Sequence, residues 1–165
     1  MRVKTEQTRQ RIVDAAYQCF WRSGFTRTSI DDIAERAKLT KKTIYSYYQS
    51  KDDLLAAVLV HHNDLAHRRL SHFGEQMPTD PDGMIESFFD QLAGWVAATP
   101  RWPGSGFTKL VVELAHLPGH PARSIARRHK AATEVWLTER LTKASVARPA
   151  ERAREIMLLM EGSMA

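Results

Sequence analysis

The chain has 165 residues, of which 43% are hydrophobic and 26% charged, an ordinary composition for a globular protein with a real core. No apolar run approaches the roughly 18 residues that cross a membrane, and the N-terminus lacks the apolar stretch of a signal peptide. A single cysteine, Cys19, excludes an intrachain disulfide, which fits the reducing cytoplasm. We therefore expect a cytoplasmic protein, and because it lacks a long apolar run we expect no membrane partner.

The net charge of +5 is concentrated at one end of the chain. Residues 1–51 hold 11 Lys or Arg and 5 Asp or Glu, a balance of +6, whereas the remaining residues hold 13 and 14, a balance of −1. Such asymmetry favours a polyanionic partner for the first third of the chain. A solvated basic surface with no partner would give the same balance.

Helical periodicity recurs along the chain, and no strand-like alternation is sustained. The first predicted helix spans about residues 5–23. Ser29 caps a second helix, and Thr40 caps a third at about residues 41–47. The connection at residues 38–40 is as short as the corner of a helix-turn-helix motif requires.

The same periodicity predicts five further helices, which Pro- and Gly-rich breaks separate. They are expected at about residues 51–73, 83–99, 107–117 and 121–144, and from about residue 149 to the end. The sequence therefore predicts an all-α fold.

The third predicted helix has the side chains of a helix that meets DNA. Its first residues, Lys41, Lys42 and Thr43, point at base edges when a short helix enters the major groove. The hydroxyls of Tyr45 and Tyr47 can reach phosphates while their rings brace the backbone. Half-buried structural tyrosines and solvated lysines are the alternative explanation.

A dense series of motifs runs from about residue 8 to residue 56. It consists of Ile12-Val13-Asp14-Ala15-Ala16, Phe20, Gly24-Phe25, Thr28-Ser29-Ile30, Ile33-Ala34, Thr40-Lys41, Thr43-Ile44-Tyr45, Tyr47-Tyr48 and Lys51-Asp52-Asp53-Leu54-Leu55. These motifs resemble the N-terminal signature of the TetR family of transcriptional regulators. The rest of the chain resembles that family in the number and lengths of its helices.

The resemblance implies roles for individual residues. It places Thr43, Tyr45 and Tyr47 on a recognition helix, and it matches Thr28 and Lys51 with phosphate contacts. At Lys51 the free amides of a helix N-terminus would also favour a phosphate. The predicted DNA-binding residues are Thr28, Thr40, Lys41, Lys42, Thr43, Tyr45, Tyr47 and Lys51.

Two positions depart from the family pattern. Lys42 stands where a glycine is common, which adds positive charge on the side that faces DNA. Lys38 stands where glycine usually ends the second helix. We expect Lys38 to adopt a left-handed backbone conformation, which costs about 1 kcal/mol in a residue with a side chain.

The resemblance also implies a division of the chain and a function. Residues 1–50 would form a three-helix helix-turn-helix DNA-binding domain, and residues 51–165 a larger helical domain for effector binding and dimerisation. The expected protein is a ligand-responsive repressor that binds a palindromic operator in double-stranded DNA as a homodimer. A small-molecule effector would release it. Family members usually continue past the eighth helix, so we expect the second domain to be C-terminally incomplete.

Aromatic residues of the second half could line the effector pocket, although aromatics at helical spacing more often pack in a core. The pocket candidates are Phe88, Phe89, Trp95, Trp102, Phe107 and His116. Trp102 lies in a Pro- and Gly-rich loop, where a large ring needs a partner surface. On the last helix, Ile156, Leu159 and Met160 are the candidates for the dimer interface.

Two other functions remain open at this stage, a helical protein-interaction module without DNA binding and a histidine-based metalloenzyme. Glu113 and His116 have the spacing of one half of a di-iron motif, but the sequence has no second pair with this spacing. It also has no His-Glu-x-x-His motif of a zinc protease. We therefore predict no catalytic residues, no metal site and no cofactor, and we do not expect an enzyme.

Overall fold

A computed structural model of the chain describes residues 2–98 and 105–163, and within these ranges it contains α-helices and no strands. The helices are α1 (Arg2–Ser23), α2 (Ile30–Ala37), α3 (Lys41–Tyr45), α4 (Lys51–Gln76), α5 (Pro81–Ala97), α6 (Gly106–Ala115), α7 (Ala122–Lys143) and α8 (Pro149–Ser163). The all-α prediction is confirmed. Each predicted helix is present, and the predicted ends differ from the observed ones by up to three residues.

Side chains close in sequence set the helix ends. The Ser29 hydroxyl accepts a hydrogen bond from the Asp32 amide at 3.1 Å, and the Asp32 carboxylate accepts one from the Ser29 amide at 2.7 Å. This reciprocal capping box begins α2. Thr40 begins α3 by accepting from the Thr43 amide at 3.1 Å. The same kind of cap begins α5 and α6, at Asp80 and Ser105.

Packing divides the described chain into two compact units. The first unit holds residues 2–63 and Ser105–Ala126, and the second holds residues 64–98 and 127–163. The three N-terminal helices therefore pack in one unit with the beginning of α4, with α6 and with the beginning of α7. The predicted boundary at residue 50, between a DNA-binding and an effector-binding domain, does not coincide with this division by packing. It stays a prediction of how the two functions are distributed along the chain.

Each unit has its own apolar core. In the first, Ile12, Phe20, Ile33 and Ile44 are all 0% exposed, which buries one face of each of the three N-terminal helices. Full burial of such a side chain contributes about 1.5–3 kcal/mol to folding. The second core contains Met84, Phe88, Leu137, Leu141, Ala144, Ala153 and Ile156.

Candidate nucleic-acid interface

The corner between α2 and α3 is tight and is held by backbone hydrogen bonds. Lys38 follows α2 with φ 52° and ψ 48°, so the expected left-handed conformation is confirmed. The Leu39 amide donates to the Ala34 carbonyl at 3.0 Å, and the Arg11 guanidinium donates to the Ala37 carbonyl at 2.8 Å. The last carbonyls of α2 are thus satisfied, and the chain can turn at once into α3.

The surface of α3 separates into a buried and an exposed side. Ile44 is 0% exposed and anchors the helix in the first core, while Thr40, Lys41, Lys42 and Tyr45 are exposed. Tyr45 is 47% exposed, which is high for a large aromatic residue. These four predicted side chains are therefore accessible, as those of a helix that reads a groove must be.

Four polar side chains at the start of α3 differ in what they contact. Lys41 forms an ion pair with Asp31 at 3.0 Å, and this hydrogen bond raises the pKa of Lys41. The hydroxyls of Thr40 and Thr43 are 2.8 Å apart. Within the described residues, no hydrogen bond or ion pair engages the side chain of Lys42. Lys42 is thus the most readily available cation at the start of α3.

Tyr47 and Tyr48, the tyrosines that follow α3, contact Arg9 of α1. The Arg9 guanidinium lies 5.7 Å from the ring centre of Tyr47 and 5.6 Å from that of Tyr48. Tyr48 is 4% exposed, and this burial raises the pKa of its hydroxyl. Tyr47 is half-buried. These contacts join the beginning of α1 to the end of α3 through cation–π interactions.

Lys51 and Thr28 make intramolecular contacts that the sequence did not reveal. Lys51 Nζ donates to the carbonyls of Phe25 at 2.9 Å and Thr28 at 3.0 Å, and it lies 4.4 Å from the centre of the Phe25 ring. Thr28 is 2% exposed, and its hydroxyl donates to the Gly24 carbonyl at 2.7 Å. Lys51 retains one N–H donor for a phosphate, whereas the Thr28 hydroxyl faces inward, and the phosphate contact of Thr28 stays a prediction.

Glu113 of α6 also reaches the turn between α1 and α2. Its Oε2 accepts from the Thr26 amide at 3.0 Å and from the Thr26 hydroxyl at 3.3 Å. The sequence drew attention to Glu113 through its spacing from His116, and not through any contact with this turn. The partner lies 87 residues away, so no local pattern could have indicated this contact.

The predicted pocket residues fall in both compact units. In the second unit, the rings of Phe88 and Phe89 meet edge to face at 5.3 Å, and the Arg69 guanidinium lies 4.2 Å from the centre of a Trp95 ring. In the first unit, Phe107 is 7% exposed and stacks on His62, while His116 is exposed at the end of α6. Trp102 lies outside the described residues. A common effector pocket stays a prediction.

The three residues of α8 that were predicted for the dimer interface differ in their exposure to solvent. Ile156 is 6% exposed and belongs to the core of the second unit together with Leu137 and Leu141, so little of its side chain is accessible. Its predicted place at a dimer interface stays a prediction. Leu159 is 62% exposed, its neighbour Leu158 is 74% exposed, and Met160 is half-buried. Leu159 and Leu158 are therefore the side chains available to a partner.

The histidines do not assemble into a metal centre in the described part of the chain. No group of three or more His, Cys, Asp or Glu side chains that could hold a metal ion occurs there. The rings of His67 and His129 approach to 5.9 Å, and burial lowers the pKa of His129 to about 4. Among the same residues, no helix is both long and apolar enough to cross a membrane.

Residues 12–58 match the family model described as bacterial regulatory proteins, tetR family. An HTH-type transcriptional repressor from Streptomyces coelicolor is 34% identical over 128 residues, which are 73% of this chain and 62% of the relative. The HTH-type transcriptional regulator TtgR from Pseudomonas putida is 30% identical over 117 residues, 68% of this chain and 51% of TtgR. The matched part thus spans between half and two thirds of the length of these relatives.

Solved structures share the fold over nearly the whole chain. A TetR-family transcriptional regulator from Streptomyces coelicolor superposes with a TM-score of 0.85 at 24% identity, covering 97% of this chain and 83% of that one. The reduced form of NemR from E. coli has a TM-score of 0.82 at 20% identity, with 95% and 84% covered. At these identities the likeness establishes the fold alone.

Proposed function

Because this chain belongs to the TetR family of bacterial regulators, we propose that it is a transcriptional regulator that binds a specific DNA sequence through α3. The observation that carries the proposal is the exposed surface of α3. Lys42 and Tyr45 are exposed there and Thr43 is half-buried, on a helix whose other side is anchored by Ile44. The balance of +6 over residues 1–51 adds an attraction for phosphates that does not depend on sequence.

The residues divide into those that read bases and those that position the protein. In this proposal, Lys42 and Thr43, at the start of α3, reach base edges in the major groove. Lys41, Tyr45 and Lys51 bind phosphates, which sets the register of the protein on the duplex. Lys41 must exchange its exposed ion pair with Asp31 for a phosphate, a small loss because exposed pairs contribute little.

The regulator acts as a ligand-responsive repressor and as a homodimer on a palindromic operator. A relative named as a transcriptional repressor supports the direction of regulation. Exposed Leu158 and Leu159 supply apolar surface for a second copy. Two recognition helices roughly 34–36 Å apart would read successive turns of the major groove. A small, largely apolar effector would shift the protein between conformations that bind DNA with different affinity.

Selection from a library of random duplexes, followed by sequencing, tests the proposal directly. We expect enrichment of a palindromic sequence and a steep loss of affinity with salt. If each subunit neutralises about 4 phosphates, the slope of log affinity against log salt is near −7. No enriched sequence, together with a slope shallower than about −2, would contradict DNA binding as the function and favour a protein-interaction module.

Three variants, measured on the selected duplex and on scrambled duplexes, test the assigned roles. Lys42→Ala and Thr43→Ala should change which sequence is preferred, because these side chains face the bases. Lys51→Ala should weaken binding to all duplexes alike. Lys143→Ala, which removes an equal charge from the second unit, is the matched control and should bind normally. Equal effects of the three variants on every duplex would refute the division of roles.

A further inference from the structure

The turn that joins α1 to α2, residues 24–28, is held by side chains from outside both helices. Gly24 begins the turn with φ 82°, in the left-handed region that favours glycine, and its amide donates to the Phe20 carbonyl at 2.8 Å. Thr28 ends the turn immediately before the cap of α2. The geometry of this turn therefore determines where α2 starts, and α3 follows α2 after a tight corner.

Two charged side chains bind the backbone of this turn with opposite polarity. The Glu113 carboxylate accepts from the amide and the hydroxyl of Thr26, at 3.0 and 3.3 Å. The Lys51 ammonium donates to the carbonyls of Phe25 and Thr28. An anion thus meets a backbone donor and a cation meets backbone acceptors, which are the stronger kind of hydrogen bond.

The turn also leaves room for the Glu113 carboxylate. A Cβ atom added at Gly24 would lie 2.2 Å from Glu113 Oε1 and 3.0 Å from its Cδ. Glycine at position 24 is favoured by the positive φ, and a Cβ atom there would also displace the Glu113 carboxylate, which is the end of a flexible side chain. This close approach makes Glu113 part of the turn's packing as well as of its hydrogen bonding.

We propose that Glu113 is a positioning residue for DNA binding, whose carboxylate sets the turn before α2 and thereby the position of α3 in the first unit. The inference rests on the function proposed above and concerns a residue of α6 that does not itself contact DNA. The apolar contacts of Phe20, Ile33 and Ile44 hold the three helices together without it. Losing Glu113 should therefore misplace α3 in a chain that remains folded.

Three substitutions at position 113 separate positioning from charge. Glu113→Ala removes the acceptor, and Glu113→Asp keeps the charge but shortens the reach by one methylene. We expect each to weaken binding of the full chain to a duplex selected by the unmodified chain, by about tenfold, the scale of one charge-assisted hydrogen bond. Glu113→Gln keeps an acceptor oxygen at the same reach and should stay within about threefold of the unmodified chain.

A purely electrostatic role makes the opposite predictions. Removing a negative charge would strengthen binding to anionic DNA, so Ala and Gln would both gain affinity while Asp would resemble the unmodified chain. Glu139→Ala, an exposed glutamate of α7, measures the effect of charge removal alone. Circular dichroism and the urea midpoint of each variant establish the folded fraction, and affinities are expressed per folded molecule.

A double-mutant cycle with Gly24→Ala tests whether the carboxylate and the turn act through the same contact. Gly24→Ala should weaken DNA binding in the unmodified chain, from both backbone strain and overlap with Glu113. In the Glu113→Ala background the overlap is absent, so the same change should cost less affinity. Additive effects would overturn the shared contact.

The outcomes separate this inference from the proposed function. If the unmodified chain selects no duplex, the proposed function fails. If it selects one, and folded Glu113→Ala and Glu113→Asp bind that duplex as tightly as it does, only the positioning role fails. A loss for Ala and Asp with retention for Gln supports both.

Discussion

The two compact units differ in how their long-range polar contacts are made. In the first unit, charged side chains bind backbone groups distant in sequence: Arg11 binds Ala37, Lys51 binds Phe25, and Glu113 binds Thr26. In the second unit, such a contact joins Arg140 to Gly74, but others are pairs of side chains, Lys130 with Glu161 and Arg154 with Glu134. Of these two pairs, Lys130 with Glu161 is half-buried, whereas Arg154 with Glu134 is exposed and contributes little to stability.

The units also differ in the apolar surface they leave uncovered. Among the described residues, the two most exposed large apolar side chains are the adjacent Leu158 and Leu159 of the second unit. In the first unit, the exposed aromatic Tyr45 lies on the proposed DNA surface. Val60 and Val112 of the first unit are exposed as well, so the difference lies in the two adjacent exposed leucines that the second unit offers to a protein partner.

The largest effects are expected when one buried side chain in each core is replaced by alanine. Phe20→Ala, at a site that is 0% exposed, should lower the free energy of unfolding by about 3–5 kcal/mol and also abolish DNA binding. Leu141→Ala, equally buried in the second unit, should lower it by about 2–5 kcal/mol while leaving DNA affinity per folded molecule nearly intact. Urea unfolding and fluorescence anisotropy measure both quantities. Normal DNA binding by folded Phe20→Ala would contradict the idea that the core of the first unit fixes the DNA-binding geometry.

The exposed leucines test whether the second unit meets a second copy. Leu159→Ala should change the free energy of unfolding by less than about 0.5 kcal/mol. It should weaken self-association about tenfold, because each Leu buried between copies contributes at least about 1.4 kcal/mol. Sedimentation velocity over a concentration series measures this. Val112→Ala, at a similarly exposed site of the first unit, is the control. Unchanged association of Leu159→Ala would move the interface elsewhere.

His129 makes the second unit sensitive to acid. Burial first, then the charges of His67 and Lys130, lower its pKa from 6.5 to about 4, while Glu161 opposes them. Between pH 6.5 and 4 the unfolded chain binds a proton that the folded chain does not, so stability falls as pH falls. We expect a loss on the order of 1–2 kcal/mol from pH 7 to 4.5, discounted for partial solvent access.

The measurement is the urea midpoint of the unmodified chain and of His129→Gln at both pH values. The glutamine variant should lose less stability on acidification, since it has no imidazole to protonate. His72→Gln, at an exposed position, serves as the control. Identical pH dependence of all three chains would show that His129 does not carry the effect.

The smallest expected effect lies at the corner before α3. Lys38→Gly should raise the free energy of unfolding by up to about 1 kcal/mol, because glycine adopts φ 52° without the strain of a Cβ atom. Lys38→Ala removes the same charge and keeps the Cβ atom, so it should give no gain. Thermal unfolding of the two variants decides the point, and equal melting temperatures would exclude backbone strain at this residue.

The sequence alone determined the elements and the basic surface. Ser29 with Asp32 and Thr40 with Thr43 are caps within three residues, so the starts of α2 and α3 follow from local chemistry. The left-handed conformation of Lys38 was instead expected from the resemblance to the TetR family, in which glycine usually ends the second helix. The burial of Ile12, Ile33 and Ile44 agrees with helical periodicity, because one face of each short helix must be covered.

Only the tertiary structure decided which polar side chains remain free for a partner. Lys51 is engaged by carbonyls 23 and 26 residues away, and Glu113 by a residue 87 positions away. The same holds on α8, where Ile156 is buried and Leu159 exposed although both are apolar. Hydrophobic periodicity indicates that one face of a helix is buried, but the packing of helices distant in sequence determines which apolar residues lie on that face. Contacts of this range leave no local pattern, since their partners meet only when the chain has folded.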